Sequence, residues 1–180
     1  ESLPSHKKTG LTFAPEAGTE RLRKIIAKDF SEEEFFKALG EAYLSGYLHL
    51  KLYFMIGLPF ERNEDLNGII DLSVRASELK RKITGQPAEV NVSINTFIPK
   101  PHTPLQWAKM ENIDTVKAKQ DYLKTKLRNR RIKLNFHNRK MSFLEGVLSR
   151  GDRRLSGVIL EAFKRGARFD AWGKRFVFDL

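Results

Sequence analysis

Apolar and polar positions alternate in blocks along this chain, and the blocks predict strands separated by helices. Strand-like apolar runs occupy residues 11–14, 47–57, 89–97 and 132–136. The second run is almost continuously apolar, which is typical of a parallel strand covered on both faces, whereas the third alternates apolar and polar residues. The first three runs each break into a Gly- or Pro-rich loop. This pattern predicts consecutive strand–helix units in a parallel sheet or barrel.

Helix signals fill the intervals between these strands. Ser31 and Glu34 form a capping-box pattern at the start of one helix, and Gly46 is a natural stop for it. A second capping-box pattern at residues 142–145 predicts a helix near Ser149. The other helices are expected from residue 18 or 19 to 28, from 63 or 64 to a break at 85–87, over 114–131 and over 152–165.

Ligands of such folds meet the loops at the carboxyl ends of the strands, so the candidate chemistry lies there. Glu16 follows the first strand and could accept hydrogen bonds from ligand hydroxyls or an amine; the alternative is an acid that favours the start of a helix. Gly57 ends the second strand and lets a flat ligand approach the main chain, or simply makes a turn. His102, in a Pro-rich loop, is the first histidine candidate, and His137, after the fourth strand, is the second.

Charge and composition narrow the class of protein. The 180 residues carry a formal charge of +11, and residues 117–140 hold ten Lys or Arg against one acid, Asp121. This basic segment predicts either binding of RNA or another polyanion, or a solvated helix face with few stacking aromatics, Tyr122 and Phe136. The chain has no cysteine. No apolar run reaches the ~18 residues of a membrane span and no apolar signal core is present, so a cytoplasmic protein is expected.

Three motifs together resemble the radical S-adenosylmethionine enzymes, in particular their elongator- and methylthiotransferase-like group. Within it, the likeness is to uncharacterised proteins often associated with cobalamin-binding domains. Residues 10–29 resemble the fourth strand–helix unit of that barrel, residues 50–72 the fifth, with Ile56-Gly57-Leu58-Pro59 and Glu61, and residues 90–108 the sixth. Residues 143–155 and 169–172 resemble the same family's C-terminus.

The resemblance implies an α/β fold, with half of a TIM-like barrel in residues 1–110 and a C-terminal extension in residues 111–180. The extension would hold a basic helix, a short strand, two helices and an aromatic tail that packs back on the body. The family's cluster-binding cysteines in the first unit are absent, and residues 2–5 look like the end of the third strand without the helix that follows it in relatives. The chain is therefore expected to be the second half of a barrel, either cut down or with residues missing between Ser5 and His6.

The resemblance also implies roles for individual residues. Glu16 would contact the ribose or methionyl part of S-adenosylmethionine, and Lys28 the methionyl carboxylate. The adenine would lie against two short runs of residues: Met55, Ile56, Gly57 and Leu58, and then Phe97, Ile98 and Pro99. Tyr53, Asn95 and His102 would be on the substrate side.

The expected activity is that of one part of a radical S-adenosylmethionine enzyme, inactive alone. A 4Fe–4S cluster would be held by cysteines outside this chain, and the substrate, whether RNA or protein, stays open. The expected partners are the missing N-terminal half of the barrel or a second copy that pairs at the exposed sheet edge. The alternative is a non-catalytic module that binds RNA or a ribonucleoprotein through residues 117–140.

Overall fold

Four parallel strands form one sheet in which spatial order follows chain order. The computed structural model describes residues 10–168 and 176–178. The strands are β1 (Gly10–Glu16), β2 (His49–Ile56), β3 (Glu89–Thr96) and β4 (Ile132–Phe136), in the order β1-β2-β3-β4. Leu52 lies opposite Val92, which lies opposite Leu134. The predicted α/β class is confirmed, and so is the fourth strand, which joins the same sheet.

Six helices connect or follow the strands within the described residues. They are α1 (Glu20–Ile25), α2 (Glu32–Leu44), α3 (Asn63–Thr84), α4 (Ile113–Lys126), α5 (Arg139–Arg150) and α6 (Leu155–Lys164). The predicted capping box of α2 is present, since Ser31 Oγ accepts from the Glu34 amide and the Glu34 carboxylate accepts from the Ser31 amide. Gly85 ends α3 in the left-handed conformation, with φ of 80°, which a glycine adopts without a steric cost.

The two faces of the sheet differ in what covers them. Leu52, Phe54, Val92 and Ile94 point to one face and are buried in a single apolar core with residues of α2, α3 and α4. The opposite face carries polar and partly exposed side chains, which are Lys51, Tyr53, Asn91, Ser93, Asn95, Lys133 and Asn135. The near-continuous apolar character of β2 therefore does not reflect burial of both faces.

Three predicted helix boundaries are wrong. The first helix ends at Ile25 rather than Lys28, and α4 ends at Lys126 rather than 131. The second capping box does not form, because α5 begins at Arg139 and its cap is Asn138, whose side chain accepts from the Lys140 and Met141 amides. Ser142 lies inside that helix, buried, with its hydroxyl 2.8 Å from His137 Nδ1.

The last two helices expose apolar side chains. No residue of α6 is buried, and Val158, Ile159, Leu160 and Phe163 are each more than half exposed. The expected packing of an aromatic tail and the predicted end of a third strand at residues 2–5 lie largely or wholly outside the described residues. Among residues 10–168 and 176–178, no helix combines the length and the apolar character that crossing a membrane requires.

Candidate functional site

The loops that follow β1, β2 and β3 meet at the carboxyl edge of the sheet and enclose a cleft of about 460 Å³. Its lining comprises Glu16, Ile25, Ile26, Ala27, Lys28, Met55, Leu58, Phe97, Ile98, Lys100, Thr103, Pro104 and Leu105. Six of these residues were predicted to contact S-adenosylmethionine, and they come from all three loops. The volume is in the usual range of small-molecule sites, ~300–1,000 Å³.

Glu16 is the last residue of β1 and sits in a strained turn. The pairing of β1 with β2 shifts register between Phe13 and Glu16, as in a β-bulge, which re-aims the side chains of the bulged strand. The Ala17 amide then donates to the Pro15 carbonyl at 2.8 Å, closing a three-residue turn around Glu16, whose φ is 66°. A γ-turn with positive φ is the rare and strained hand. Thr19, not Glu16, caps α1, so the helix-initiating interpretation of Glu16 is not supported.

The early end of α1 brings Lys28 to the same cleft. The Lys28 amide donates to the Arg23 carbonyl and the Ala27 amide to the Lys24 carbonyl, at 2.9 and 3.1 Å. These two bonds form a Schellman motif, and Ala27 holds the left-handed position that glycine usually takes, with φ of 55°. The prediction of a longer helix failed because alanine gives no stop signal in the sequence.

Backbone strain is concentrated in these loops. Among the described residues, the non-glycine positions with positive φ are Glu16, Ala27, Phe60 and His102, and each lies in a loop at the carboxyl edge. Such conformations cost ~1–3 kcal/mol each and tend to cluster at active sites and ligand-binding loops. The strain is therefore a reason, independent of any motif, to regard this edge as the candidate functional region.

One half-buried carboxylate, Glu16, and two ammonium groups, Lys28 and Lys100, supply the charge of the cleft, and Lys28 is the one close to Glu16. Glu16 Oε1 lies 4.0 Å from Lys28 Nζ, with 27% of the Glu16 side chain exposed. Burial raises the pKa of Glu16, and the nearby Lys28 ammonium opposes that rise. Both charges retain exposed surface, so a ligand that carries an ammonium and a carboxylate could pair with them in turn.

An apolar floor completes the cleft. Ala17, Leu22, Leu58 and Phe97 form a second buried cluster, separate from the main core, at the ends of the strands. Met55 and Leu105 pack against it and reach the cleft. A flat heteroaromatic group could lie on this floor while the charged pair holds the rest of the ligand.

Two glycines clamp the β1 loop to α3. A Cβ placed on Gly18 would lie 2.0 Å from the Asp65 carbonyl oxygen, and one on Gly68 would lie 2.3 Å from the Gly18 oxygen. The buried Asp65 carboxylate accepts from the Thr19 hydroxyl, from Arg21 at 2.5 Å and from the Arg62 amide at 2.7 Å. This contact fixes the loop that carries Glu16 relative to the start of α3.

The carboxylate of Glu61 holds the loop after β2 through a hydrogen bond to its main chain. Gly57, with φ of 81°, donates its amide to Glu61 Oε2 at 2.8 Å. The Glu61 side chain is 97% buried and forms an ion pair with Lys119 of α4 at 2.6 Å. Lys119 also contacts Glu111 at 3.2 Å. Burial raises the pKa of Glu61, against the lowering effects of Lys119 and of the Gly57 and Leu58 amides.

The remaining predicted site residues lie elsewhere. Ile56, Gly57 and Pro99 are buried next to the cleft without lining it. Tyr53 and Asn95 are on the uncovered face of the sheet, and His102 is exposed in the Pro-rich loop, outside the cleft. The prediction missed Ile25, Ile26 and Ala27, which reach the cleft only because α1 ends early. It also missed four residues of the Pro-rich loop: Lys100, Thr103, Pro104 and Leu105.

His137 belongs to a neighbouring cavity of about 640 Å³ beside α5. That cavity is lined by Met141, Leu144, Glu145, Leu148, Ser149 and Phe176 in addition to His137. Glu145 pairs with Lys100 of the cleft at 2.5 Å. Within the described part of the chain, no three His, Cys, Asp or Glu side chains cluster closely enough to hold a metal ion.

Comparison with known proteins gives one relative of uncharacterised function. The chain is 36% identical over 176 residues to an uncharacterised protein of Methanocaldococcus jannaschii, a match that covers 92% of this chain and 37% of that protein. The chain thus spans little more than a third of the relative's length. No family model matches it, and no solved structure matches it significantly.

Proposed function

We propose that this chain is the C-terminal half of a radical S-adenosylmethionine barrel and supplies part of the cofactor site. The observation that carries the proposal is the convergence of three loops on one cleft that combines a carboxylate, an ammonium and an apolar floor. S-Adenosylmethionine has a matching set of groups: ribose hydroxyls, an amino acid end of both charges and a flat adenine. The residues present fit this ligand.

The sheet supports the barrel form of the proposal. A sheet whose strands follow chain order and whose helices α2, α3 and α4 cover one face is the arrangement expected for one arc of a βα barrel. Its uncovered face would line the lumen, and the polar side chains there suit a wet, ligand-bearing interior. In a doubly wound fold, helices cover both faces and strand order reverses at a switch point.

Each residue at the cleft has a defined task in this proposal. Glu16 would accept hydrogen bonds from the ribose or the methionyl amine, and Lys28 would pair with the methionyl carboxylate. Met55, Leu58, Phe97 and Ile98 would hold the adenine and exclude water from it. Tyr53, Asn95 and His102 would face the substrate, whether it is an RNA or a protein.

The cluster belongs to another part of the protein. A 4Fe–4S cluster in the complete enzyme would supply the electron that cleaves the bound sulfonium, as the cofactor performs the difficult chemistry in such enzymes. This chain has no cysteine, so its own contribution would be binding, orientation and exclusion of water. The N-terminal half of the complete barrel would pair with the edge of β1, which otherwise could pair with a second copy.

Calorimetric titration of the full-length protein with S-adenosylmethionine tests the proposal. Glu16→Ala and Lys28→Ala each remove a charge-assisted contact, so each should weaken affinity by about 10- to 150-fold. Lys28→Arg should retain most of the affinity because it keeps the charge. Lys24→Ala, an exposed position on α1 that does not line the cleft, is the matched control. Unchanged affinity in both alanine variants would contradict the assignment.

A further inference from the structure

Lys119 is on α4, after the three strand–helix units whose loops form the cleft. It is one of the ten lysines and arginines of the basic segment 117–140. Its neighbours on α4 reach solvent: the Lys117 and Lys124 side chains are 55% and 56% exposed, and both pair with Asp121. The Lys119 side chain is only 17% exposed and points inward. Lys119 therefore differs from Lys117 and Lys124 in that its charge is directed into the protein and not to solvent.

The inward lysine completes a chain of contacts that ends at the cleft. Lys119 Nζ lies 2.6 Å from Glu61 Oε1 and 3.2 Å from Glu111 Oε1, while Glu61 Oε2 accepts from the Gly57 amide at 2.8 Å. Glu111 packs against the same glycine, since a Cβ on Gly57 would lie 3.1 Å from Glu111 Cγ. Gly57 is followed directly by Leu58, which lines the cleft.

A buried carboxylate without a counterion is costly, so Glu61 depends on Lys119 to stay ionised at the position where it holds the loop. Lys109, which lines the cavity next to Glu61, is the other cation of this region, and Glu111 is the other acid. Lys109 does not replace Lys119, because Lys119 is the side chain paired with Glu61 among the described residues.

We infer that Lys119 is a positioning residue for the cofactor cleft: from α4 it holds Glu61 against the Gly57–Leu58 main chain and fixes the loop that closes one side of the cleft. This inference rests on the proposed function only for the identity of the ligand. By this inference a residue of the C-terminal extension supports a loop of the cleft, through the contacts from Lys119 to Glu61 and from Glu61 to the Gly57 amide.

The test compares Lys119→Met with Lys117→Met, a matched change on the same helix, in the full-length protein. Amide hydrogen exchange of the peptide covering residues 53–62, measured without any ligand, should accelerate by about 10-fold or more in Lys119→Met, because the Gly57 amide loses a firmly held charged acceptor. Lys119→Arg should restore protection, and Lys117→Met should leave it unchanged. Exchange in β3 reports whether the fold as a whole is intact.

The pH profile separates positioning from a general loss of stability. Without the Lys119 ammonium the pKa of Glu61, already raised by burial, rises further, and a protonated Glu61 is a weaker acceptor. Loop protection in Lys119→Met, corrected for intrinsic exchange, should therefore fall as the pH is lowered, and the fall should begin at a higher pH than in the wild type. Equal protection of residues 53–62 in Lys119→Met and the wild type at every pH would overturn the inference.

Titration with S-adenosylmethionine then tests whether the loop that Lys119 supports contributes to ligand binding. Affinity should drop about 5- to 20-fold in Lys119→Met and not in Lys117→Met, as expected for the loss of one supporting contact. A wild type that does not bind S-adenosylmethionine would defeat the proposed function, yet the exchange data would still decide the role of Lys119. Binding by the wild type with no difference in Lys119→Met, despite a loosened loop, would show that the loop is not part of the cofactor site and would overturn the inference.

Discussion

The helix-covered face of the sheet and its carboxyl edge are built on opposite principles. The covered face consists of fully buried apolar side chains such as Phe54 and Val92 in regular strands. The edge contains half-buried charges, among them Glu16 and Lys28, and non-glycine residues with positive φ. The face contributes stability through burial of apolar area, while the edge places charge and strain where a ligand would bind. The residues expected to stabilise the fold and those expected to bind a ligand thus lie in different parts of the sheet.

The largest effect is expected from the covered face. Phe54 is fully buried at the centre of β2, so Phe54→Ala should lower the free energy of unfolding by about 3–5 kcal/mol through lost burial and a residual cavity. Asn95→Ala, an exposed position on the opposite face of the neighbouring strand, should change it by less than about 0.5 kcal/mol. Urea denaturation followed by far-UV circular dichroism measures both. Similar losses in the two variants would show that the uncovered face is also a core.

A gain in stability is expected at the strained edge. Ala27 occupies the left-handed position of the Schellman motif at the end of α1, and Ala27→Gly removes its steric cost. We expect the free energy of unfolding to rise by about 0.5–1 kcal/mol, since the strain relieved exceeds the added flexibility of glycine in the unfolded chain.

The same variant tells whether the strain at Ala27 serves the ligand. Affinity for S-adenosylmethionine should stay the same or fall, because glycine holds Lys28 less firmly beside Glu16. Ala38→Gly in the exposed part of α2 is the matched control and should lose about 1 kcal/mol of stability, as usual for glycine inside a helix. Destabilisation by Ala27→Gly would contradict the assignment of strain to this residue.

The sequence predicted the strands and one of two capping boxes, but not every helix end and not the contacts between distant residues. The four strands and the capping box of Ser31 and Glu34 follow from hydrophobic period and cap chemistry, which depend on neighbouring residues. The Schellman turn at Ala27 carries no sequence signal, because alanine stands at the position where glycine usually ends a helix. The inward direction of Lys119 is likewise invisible in a run of lysines and arginines, since its partner Glu61 comes from a distant loop.

The candidate site divides in the same way. Glu16, Lys28 and Phe97 were predicted from the likeness of three motifs, and the structure brings them to one cleft. Ile25 and Ile26 were missed because they were expected inside a helix that continues to Lys28. A motif identifies the residues that it contains. Which other residues line the cleft depends on where each helix and loop ends, and the residues next to those ends do not determine this.

The smallest effect is expected from the basic segment 117–140. Several of its cations already have acidic partners within the chain. Lys119 pairs with the buried Glu61, Lys117 and Lys124 pair with Asp121, and Arg131 lies 3.6 Å from Glu89. Binding of a single-stranded RNA should therefore be weak and should depend little on salt, because few phosphates would be neutralised. A filter-binding series at ~50 to ~200 mM salt, on the wild type and on a Lys126→Glu/Arg130→Glu double variant, measures this. Tight binding that falls steeply with salt and disappears in the double variant would instead favour the RNA-binding alternative. It would also place a second functional surface at the end of α4, at Lys126, and in the turn that follows it, which contains Arg130.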